Sequence, residues 1–329
     1  MSRASRISLL VLPGIALCAA LAGCGDTSSS QAALVDRKDR AVRLASETTR
    51  LELRDWPAQP AVDPAEIATP ALRIISTAPS ITEICCALGL RDCIVGRTRY
   101  CLHPAGIEST PIVPTLNRAN VESLLALEPD IVLVFGRAPT LAQKLADAGI
   151  RFEALPDKSL SAIFAAIRRV GSLTGRTRTA SALCRAIEAE LAAVTAEYHA
   201  TVDRRVLLLT STLESPPRPP FVAGPGSYYD ALLRRSGFVN VVANERQAYA
   251  PLSLEFITRA DPDVIVELDP DGRARPHGDA DALSAWRRVG PLRAVRNGRV
   301  HALVGPEYYV PGPRIAGTYA ELCRVISGT

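Results

Sequence analysis

The sequence predicts an α/β protein of two similar lobes with parallel sheets, joined by a single long helix, with a ligand cleft between the lobes. Three observations predict it. Short apolar runs alternate with amphipathic stretches, the pattern of βαβ units that build parallel sheets. The second half echoes the first: Glu122 stands seven residues before Pro129-Asp130-Ile131-Val132, and Glu255 stands seven before Pro262-Asp263-Val264-Ile265, at a constant offset of 133. Between the copies, Thr177 to about His199 reads as a helix of about six turns with no Pro or Gly inside. Two like lobes on one helix leave a cleft at their interface, a usual place for a ligand.

At the N-terminus, Arg3 and Arg6 precede an apolar stretch from Ile7 to Ala22. It is too short, and too closely followed by polar sequence, for a comfortable membrane span. It ends Leu21-Ala22-Gly23-Cys24, a small residue followed at once by a thiol, which resembles the bacterial lipobox. An ordinary secretory signal with an incidental cysteine is the alternative. On the lipobox reading residues 1–23 are a lipoprotein signal peptide. The mature chain is then exported and held by lipid on Cys24 to a bacterial membrane, facing the periplasm or the cell exterior. Residues 24–71 hold that cysteine, a polar tether and a lead-in containing Trp56.

The N-terminal lobe spans 72–176. Arg73-Ile74-Ile75-Ser76 is a short strand, and Ser80 with Glu83 has the spacing of a capping box for a helix through Leu88, closed by Gly89. Ile94-Val95-Gly96 is a second strand, Asn120 to Leu127 a helix stopped by Pro129, and Ile131 to Val134 a continuous apolar strand of the buried parallel kind. Residues 139–149 form a helix, 150–155 a strand, and Ser159 to Val170 a helix interrupted by Gly171 to Gly175. The bridging helix takes 177–200, and the C-terminal lobe, 201–329, restarts with Val206-Leu207-Leu208-Leu209.

Composition narrows the function. Hydrophobic residues make up 47% and charged residues 22%, which excludes a disordered chain, a fibre and a polytopic membrane protein. The net charge of +4 is scattered, with none of the basic blocks of nucleic-acid binders. Aromatics are only 5%, so each one on a loop is a candidate for contact with something outside the core. Setting aside Cys18 in the signal and Cys24, six cysteines remain, an even number that permits disulfides. Adjacent Cys85 and Cys86 nevertheless sit in an apolar helix and read as core. No C-x-x-C pair suggests structural zinc.

Residues 72–327 resemble the iron-siderophore, haem and cobalamin class of periplasmic substrate-binding proteins of ABC importers, and within it the cobalamin-binding members. The resemblance rests on Ile74-Ile75-Ser76-Thr77-Ala78-Pro79-Ser80-Ile81-Thr82-Glu83 and on Asn120-x-Glu122-x-Leu124-x-Ala126-Leu127-x-Pro129-Asp130. It rests also on Pro220-Phe221-x-Ala223-Gly224, on Glu255 with Asp261-Pro262-Asp263, and on Gly312-Pro313-Arg314-Ile315. It implies that the joining helix is rigid and that the lobes move little, since closure would have to bend that helix. It implies a monomer that is not an enzyme, carries no resident cofactor, and delivers cobalamin, haem or a ferric siderophore to the importer's membrane subunits. It further implies that Glu122 and Glu255, one per lobe, dock on arginines of those subunits; the bland alternative is a pair of solvated helix-start glutamates.

The candidate ligand contacts are loop aromatics after strand ends, where open α/β sheets meet ligands: Tyr100, Phe221, Tyr249, Tyr308 and Tyr309. Flat faces suit a corrin, a porphyrin or a catecholate chelate. The resemblance singles out Phe221 and Tyr249, spaced like the ligand-contacting aromatics of cobalamin binders. Arg314 opens the terminal helix against the macrodipole, so it either fixes the loop or meets an anionic ligand. Cys101-Leu102-His103-Pro104 departs from the family, whose cobalamin binders carry an acidic-aromatic-proline sequence there. Cys101 and His103 are candidate metal contacts, and an exported metal-binding protein or enzyme using them is the alternative function. Trp286 and the Asp269 to Asp281 stretch read as packing and as a solvated loop respectively.

Overall fold

The computed structural model describes residues 62–66, 72–114, 121–136, 139–199, 203–213 and 218–328. The signal peptide, Cys24, Trp56 and most of the lead-in lie outside the described residues.

In the first lobe β1 (Ile74–Ser76), β2 (Ile94–Arg97), β3 (Ile131–Phe135) and β4 (Phe152–Leu155) form a parallel sheet in the order β2-β1-β3-β4. The helices are α1 (Pro79–Ala87), α2 (Val121–Leu125) and α3 (Pro139–Asp147). Alternation along β3 sends Ile131 and Leu133 into the core shared with α1. Val132 and Val134 go to the opposite face, with Leu141 and Leu145 of α3. A strand covered on both sides has to be apolar throughout, as its sequence is.

Two helices follow, α4 (Leu160–Leu173) and α5 (Thr177–Glu197). Gly171 does not interrupt α4 as the sequence suggests; the helix runs on to Leu173. The glycine serves packing, since a Cβ there would lie 2.4 Å from the Cβ of Ala180 on α5. Ala180, Leu183, Cys184, Ile187, Leu191 and Val194 form the buried stripe of α5, at helical spacing.

The second lobe contains β5 (Arg205–Leu209), β6 (Phe221–Ala223), β7 (Val239–Asn240), β8 (Tyr249–Pro251), β9 (Val264–Asp269) and β10 (Val300–Val304). Its helices are α6 (Tyr228–Arg235), α7 (Leu254–Ala260), α8 (Asp279–Arg287), α9 (Arg293–Arg296) and α10 (Ile315–Ser327). The order is β10-β9-β5-β6-β8, with β7 also on β5. This sheet corrects the expectation of parallel strands throughout: β6 runs antiparallel to both β5 and β8. Eleven residues, 210–220, separate β5 from β6, fewer than the dozen or more that a parallel crossover needs, and the pair is antiparallel.

The duplication is physical. The Arg73 amide donates to Asp130 Oδ2 at 2.7 Å, and the Arg205 amide donates to Asp263 Oδ2 at 3.0 Å. Glu128 (φ 44°) and Asp261 (φ 41°), 133 residues apart, both take the left-handed conformation after α2 and α7.

Two other expectations are revised. The capping box is absent: α1 starts at Pro79, with Ala78 at the N-cap and no side-chain cap. Glu83, its side chain 1% exposed, instead forms a two-bonded ion pair with Arg314 of the second lobe, Nη2 to Oε1 at 2.7 Å and Nε to Oε2 at 3.0 Å. The Asp269–Asp281 stretch is not simply solvated. Arg275 is buried, its amide held by Asp269 Oδ2 and its guanidinium by Glu267 at 2.6 Å. Trp286, which is indeed a packing residue, donates its indole N–H to the same glutamate at 2.8 Å. All six cysteines among the described residues are free, and Cys85 and Cys86 are core.

The lead-in contributes one anchor. Glu66 Oε1 accepts from the Arg178 amide at 2.7 Å, and Oε2 accepts from the Thr179 hydroxyl at 2.7 Å and its amide at 3.2 Å. Glu66 thus caps the N-terminus of α5 from a distance in sequence. Desolvation acts to raise its pKa, but these hydrogen bonds and the Arg178 charge together hold it below the ordinary carboxylate value. A depressed carboxylate stabilises the fold above the unfolded-state pKa and loses that contribution as pH falls through the folded one. Glu66→Ala is therefore expected to cost about 1 kcal/mol in urea unfolding at pH 7. The difference from wild type should shrink below about pH 4.

Candidate functional site

The carboxyl ends of both sheets open on one cleft of about 330 Å³. Lobe one supplies Phe135 from the end of β3, and Asp157 and Lys158 just after β4. Lobe two supplies Thr210 after β5, Tyr228 and Tyr229 from the start of α6, Tyr249 on β8, and Tyr309 with Pro311 after β10. The floor is tied across the lobes, because the Tyr228 amide, one of the free N–H groups of the first turn of α6, donates to Lys158 O at 2.9 Å. Ser227 caps the same helix, its Oγ accepting from the Asp230 amide and donating to Gly224 O.

The four phenols are not equivalent. Tyr229 donates to Tyr308 O at 2.5 Å, its ring 4.1 Å from that of Tyr228, centroid to centroid. The Tyr309 hydroxyl contacts Leu268 O at 2.8 Å and Thr210 O at 3.2 Å. The Tyr249 hydroxyl has no hydrogen bond to any described residue, so it faces the cleft with its donor available. Burial raises its pKa, with a further rise from the Asp157 charge, and it stays protonated at neutral pH. Burial, aided by Asp269, does the same for Tyr309.

Of the sequence-predicted aromatics, Tyr249 and Tyr309 line the cleft. Phe221 is 51% exposed, and the β6–β8 register (Phe221↔Pro251, Ala223↔Tyr249) places it on the same sheet face as Tyr249, one diagonal step away. Tyr100 is 52% exposed beyond β2, its ring under the Arg99 guanidinium at 4.9 Å, and it is not part of the cleft wall. Tyr308 is buried behind the wall, so packing is its role. Arg314 takes the first of its two sequence readings: its guanidinium is engaged by Glu83, fixing the loop rather than presenting a charge to the cleft.

Cys101 and His103 follow β2. Cys101 is fully buried with its thiol 3.2 Å from the Thr98 hydroxyl. Burial, then the Arg314 charge, pushes the His103 pKa down to about 4, leaving its imidazole neutral at physiological pH. Among the described residues no group of three or more His, Cys, Asp or Glu is placed to hold a metal ion.

Glu122 and Glu255 are each the second residue of their helices, α2 and α7, and both are exposed. They occupy equivalent positions in the duplicated frame. Sequence reasoning missed Phe135, Asp157, Lys158, Thr210, Tyr228, Tyr229 and Pro311. The signal available was position: most follow strand ends, and Tyr228-Tyr229 follows Gly224-Pro225-Gly226-Ser227 in an aromatic-poor chain.

Comparison with known proteins places this architecture. The sequence profile described as periplasmic binding protein matches residues 74–305. An uncharacterized ABC transporter substrate-binding lipoprotein of Bacillus subtilis, YvrC, is 26% identical, covering 93% of this chain and 92% of its own. The vitamin B12-binding protein of Salmonella typhimurium is 27% identical over 60% of this chain and 72% of its own. Among solved structures, the periplasmic heme-binding protein RhuT from Roseiflexus sp. RS-1 superposes with a TM-score of 0.67 at 25% identity, covering 78% of this chain and 98% of that one. The profile runs from the first strand of the first lobe to the last strand of the second, and the superposed fold covers most of the chain: the chain belongs to the periplasmic binding protein family.

Proposed function

We propose that the protein is an exported solute-binding lipoprotein, not an enzyme, that captures a metal chelate or corrinoid in the interlobe cleft and delivers it to an ABC importer. The observation that carries this reading is the cleft itself, bounded by both sheets' carboxyl ends, with Tyr249 in its wall and exposed Phe221 beside it on the same sheet face. Aromatic faces held on strands can stack on a flat macrocycle without reorganising. Relatives named as binding vitamin B12 and a structural relative named as binding heme support this ligand class. A relative named as a lipoprotein supports lipid attachment at Cys24. Stacking, rather than protein ligation of the metal, is the principal contact, because every large chelate offers a flat or apolar face whereas not every one offers an open metal position.

Stacking gives the first expectation here. Phe221→Ala and Tyr249→Ala should each weaken binding of the cognate chelate by about 1–3 kcal/mol in calorimetry, roughly five- to a hundredfold, with the unfolding curve little changed. Unaltered affinity in both would remove the stacking reading.

Docking gives the second. Glu122 and Glu255 project from matching helix starts, so Glu122→Arg with Glu255→Arg should abolish uptake while leaving ligand affinity within about twofold. A large affinity loss instead would assign them to the cleft.

Anchoring gives the third. Cys24→Ala should move the protein from the membrane pellet to the soluble exported fraction, because a single residue carries the lipid. Retention on membranes after a salt wash would rule the lipid anchor out.

A further inference from the structure

The cleft contains polar groups that stacking does not use, and they discriminate among chelates. Tyr249, Asp157 and Lys158 line it, and none of their side chains has a hydrogen bond or ion pair to a described residue. Asp157 lies close against the end of β3. Gly136, at the end of β3 with φ +71°, leaves room for its carboxylate, and a Cβ at that position would lie 2.5 Å from Oδ2. Asp157 and Tyr249 come from different lobes, and the Asp157 charge acts on the Tyr249 phenol across the cleft. The cleft therefore presents a neutral phenol donor, a cationic donor and an anionic acceptor together.

Resting on the proposed capture of a chelate, we infer that Asp157 is a specificity-determining residue that selects ligands whose periphery carries carboxamides over those whose periphery carries carboxylates. A carboxamide satisfies all three groups: its carbonyl accepts from Tyr249 or Lys158, and its NH₂ donates to Asp157. A carboxylate has no proton to give Asp157 and meets it as a like charge in a partly desolvated site. Lys158 can donate to either periphery and by its charge favours the carboxylate, so discrimination against carboxylates falls to Asp157. A corrinoid with amide side chains fits this signature. A porphyrin with free carboxylates or a polyanionic ferric catecholate does not.

The test holds ring, metal and axial ligands constant and varies only the periphery. Affinities of the full-length protein for dicyanocobinamide, which bears carboxamides, and dicyanocobyrinic acid, which bears carboxylates, are measured by calorimetry. Both cobalt positions are filled by cyanide, so coordination by protein does not enter. Wild type is expected to favour the amide form by about a hundredfold or more. Asp157→Asn should narrow the ratio to within about tenfold, chiefly by gaining affinity for the acid form, because Asn offers the carboxylate an N–H donor. Lys158→Met should weaken the acid form and leave the amide preference in place. Should Asp157→Asn fail to fold by circular dichroism, Asp157→Ser provides the same comparison. Equal wild-type affinities, or a ratio unmoved by the substitution, overturn the inference. If neither corrinoid binds while haemin or a ferric catecholate does, the inference falls and the proposed capture of a chelate stands. If no chelate of any of these classes binds, both fall.

Discussion

A carboxylate almost wholly withdrawn from water has to be paired, and the pairing of Glu83 with Arg314 constrains the rest of the molecule. Glu83 lies on α1 of the first lobe and Arg314 immediately before α10 of the second. Two hydrogen bonds in a fork fix both distance and orientation, as a single point charge would not. Removing either partner breaks a buried, charge-assisted pair, a loss of about 3–5 kcal/mol in comparable sites. The close approach extends to the turn before Arg314, where a Cβ on Gly312 would come within 3.4 Å of the Glu83 carboxylate. A second tie, from the Tyr228 amide to Lys158 O, lies in the cleft floor. The cleft is thus formed by two lobes pinned to each other at two points, in addition to the packing of α10 on α5.

Much of this architecture was legible in the sequence because it is periodic or local. The 133-residue offset, the stripe along α5 and the apolar run of β3 are each set by helix, strand or repeat geometry and survive in one dimension. What was illegible has equally physical reasons. Strands of three residues, such as β6 and β8, are too short to carry a period, so their antiparallel pairing is invisible until the chain is folded. Glu83 has the spacing of a capping residue, and nothing local reveals a partner 231 residues away. Gly171 looks like a helix stop, whereas its role is set by the neighbouring Ala180.

The site divides in the same way. Tyr249, Tyr309 and Phe221 were recognisable because aromatics on loops are scarce in this chain and stand out. Asp157 and Lys158 were not, because an Asp-Lys pair after a strand is indistinguishable from ordinary surface until the fold brings the opposing lobe's tyrosines to the same cleft. Tyr308 and Arg314 had the right residue types near the right strand end, and the structure turns both inward. Residue type suggests a contact, while the direction of the side chain, which the backbone after each strand decides, determines whether the contact reaches the cleft.

Duplication explains why frame and cleft follow different rules. At the base of each lobe the same device recurs: a strand-opening arginine amide held by the aspartate of a Pro-Asp pair, after a helix ending in a left-handed residue. That device holds backbone to backbone, so both copies share it. At the opposite, carboxyl ends the copies no longer match. The first lobe contributes Asp157, Lys158 and one phenylalanine; the second contributes four tyrosines and Thr210. A cleft with identical walls would present the same chemistry to both faces of its ligand. Here one wall carries most of the charge and the other most of the flat apolar surface, an arrangement that would orient a ligand as well as hold it. The helices that lead into the paired strands stay alike as well, each carrying an exposed glutamate as its second residue, Glu122 on α2 and Glu255 on α7, so the copies match in frame where they differ in cleft.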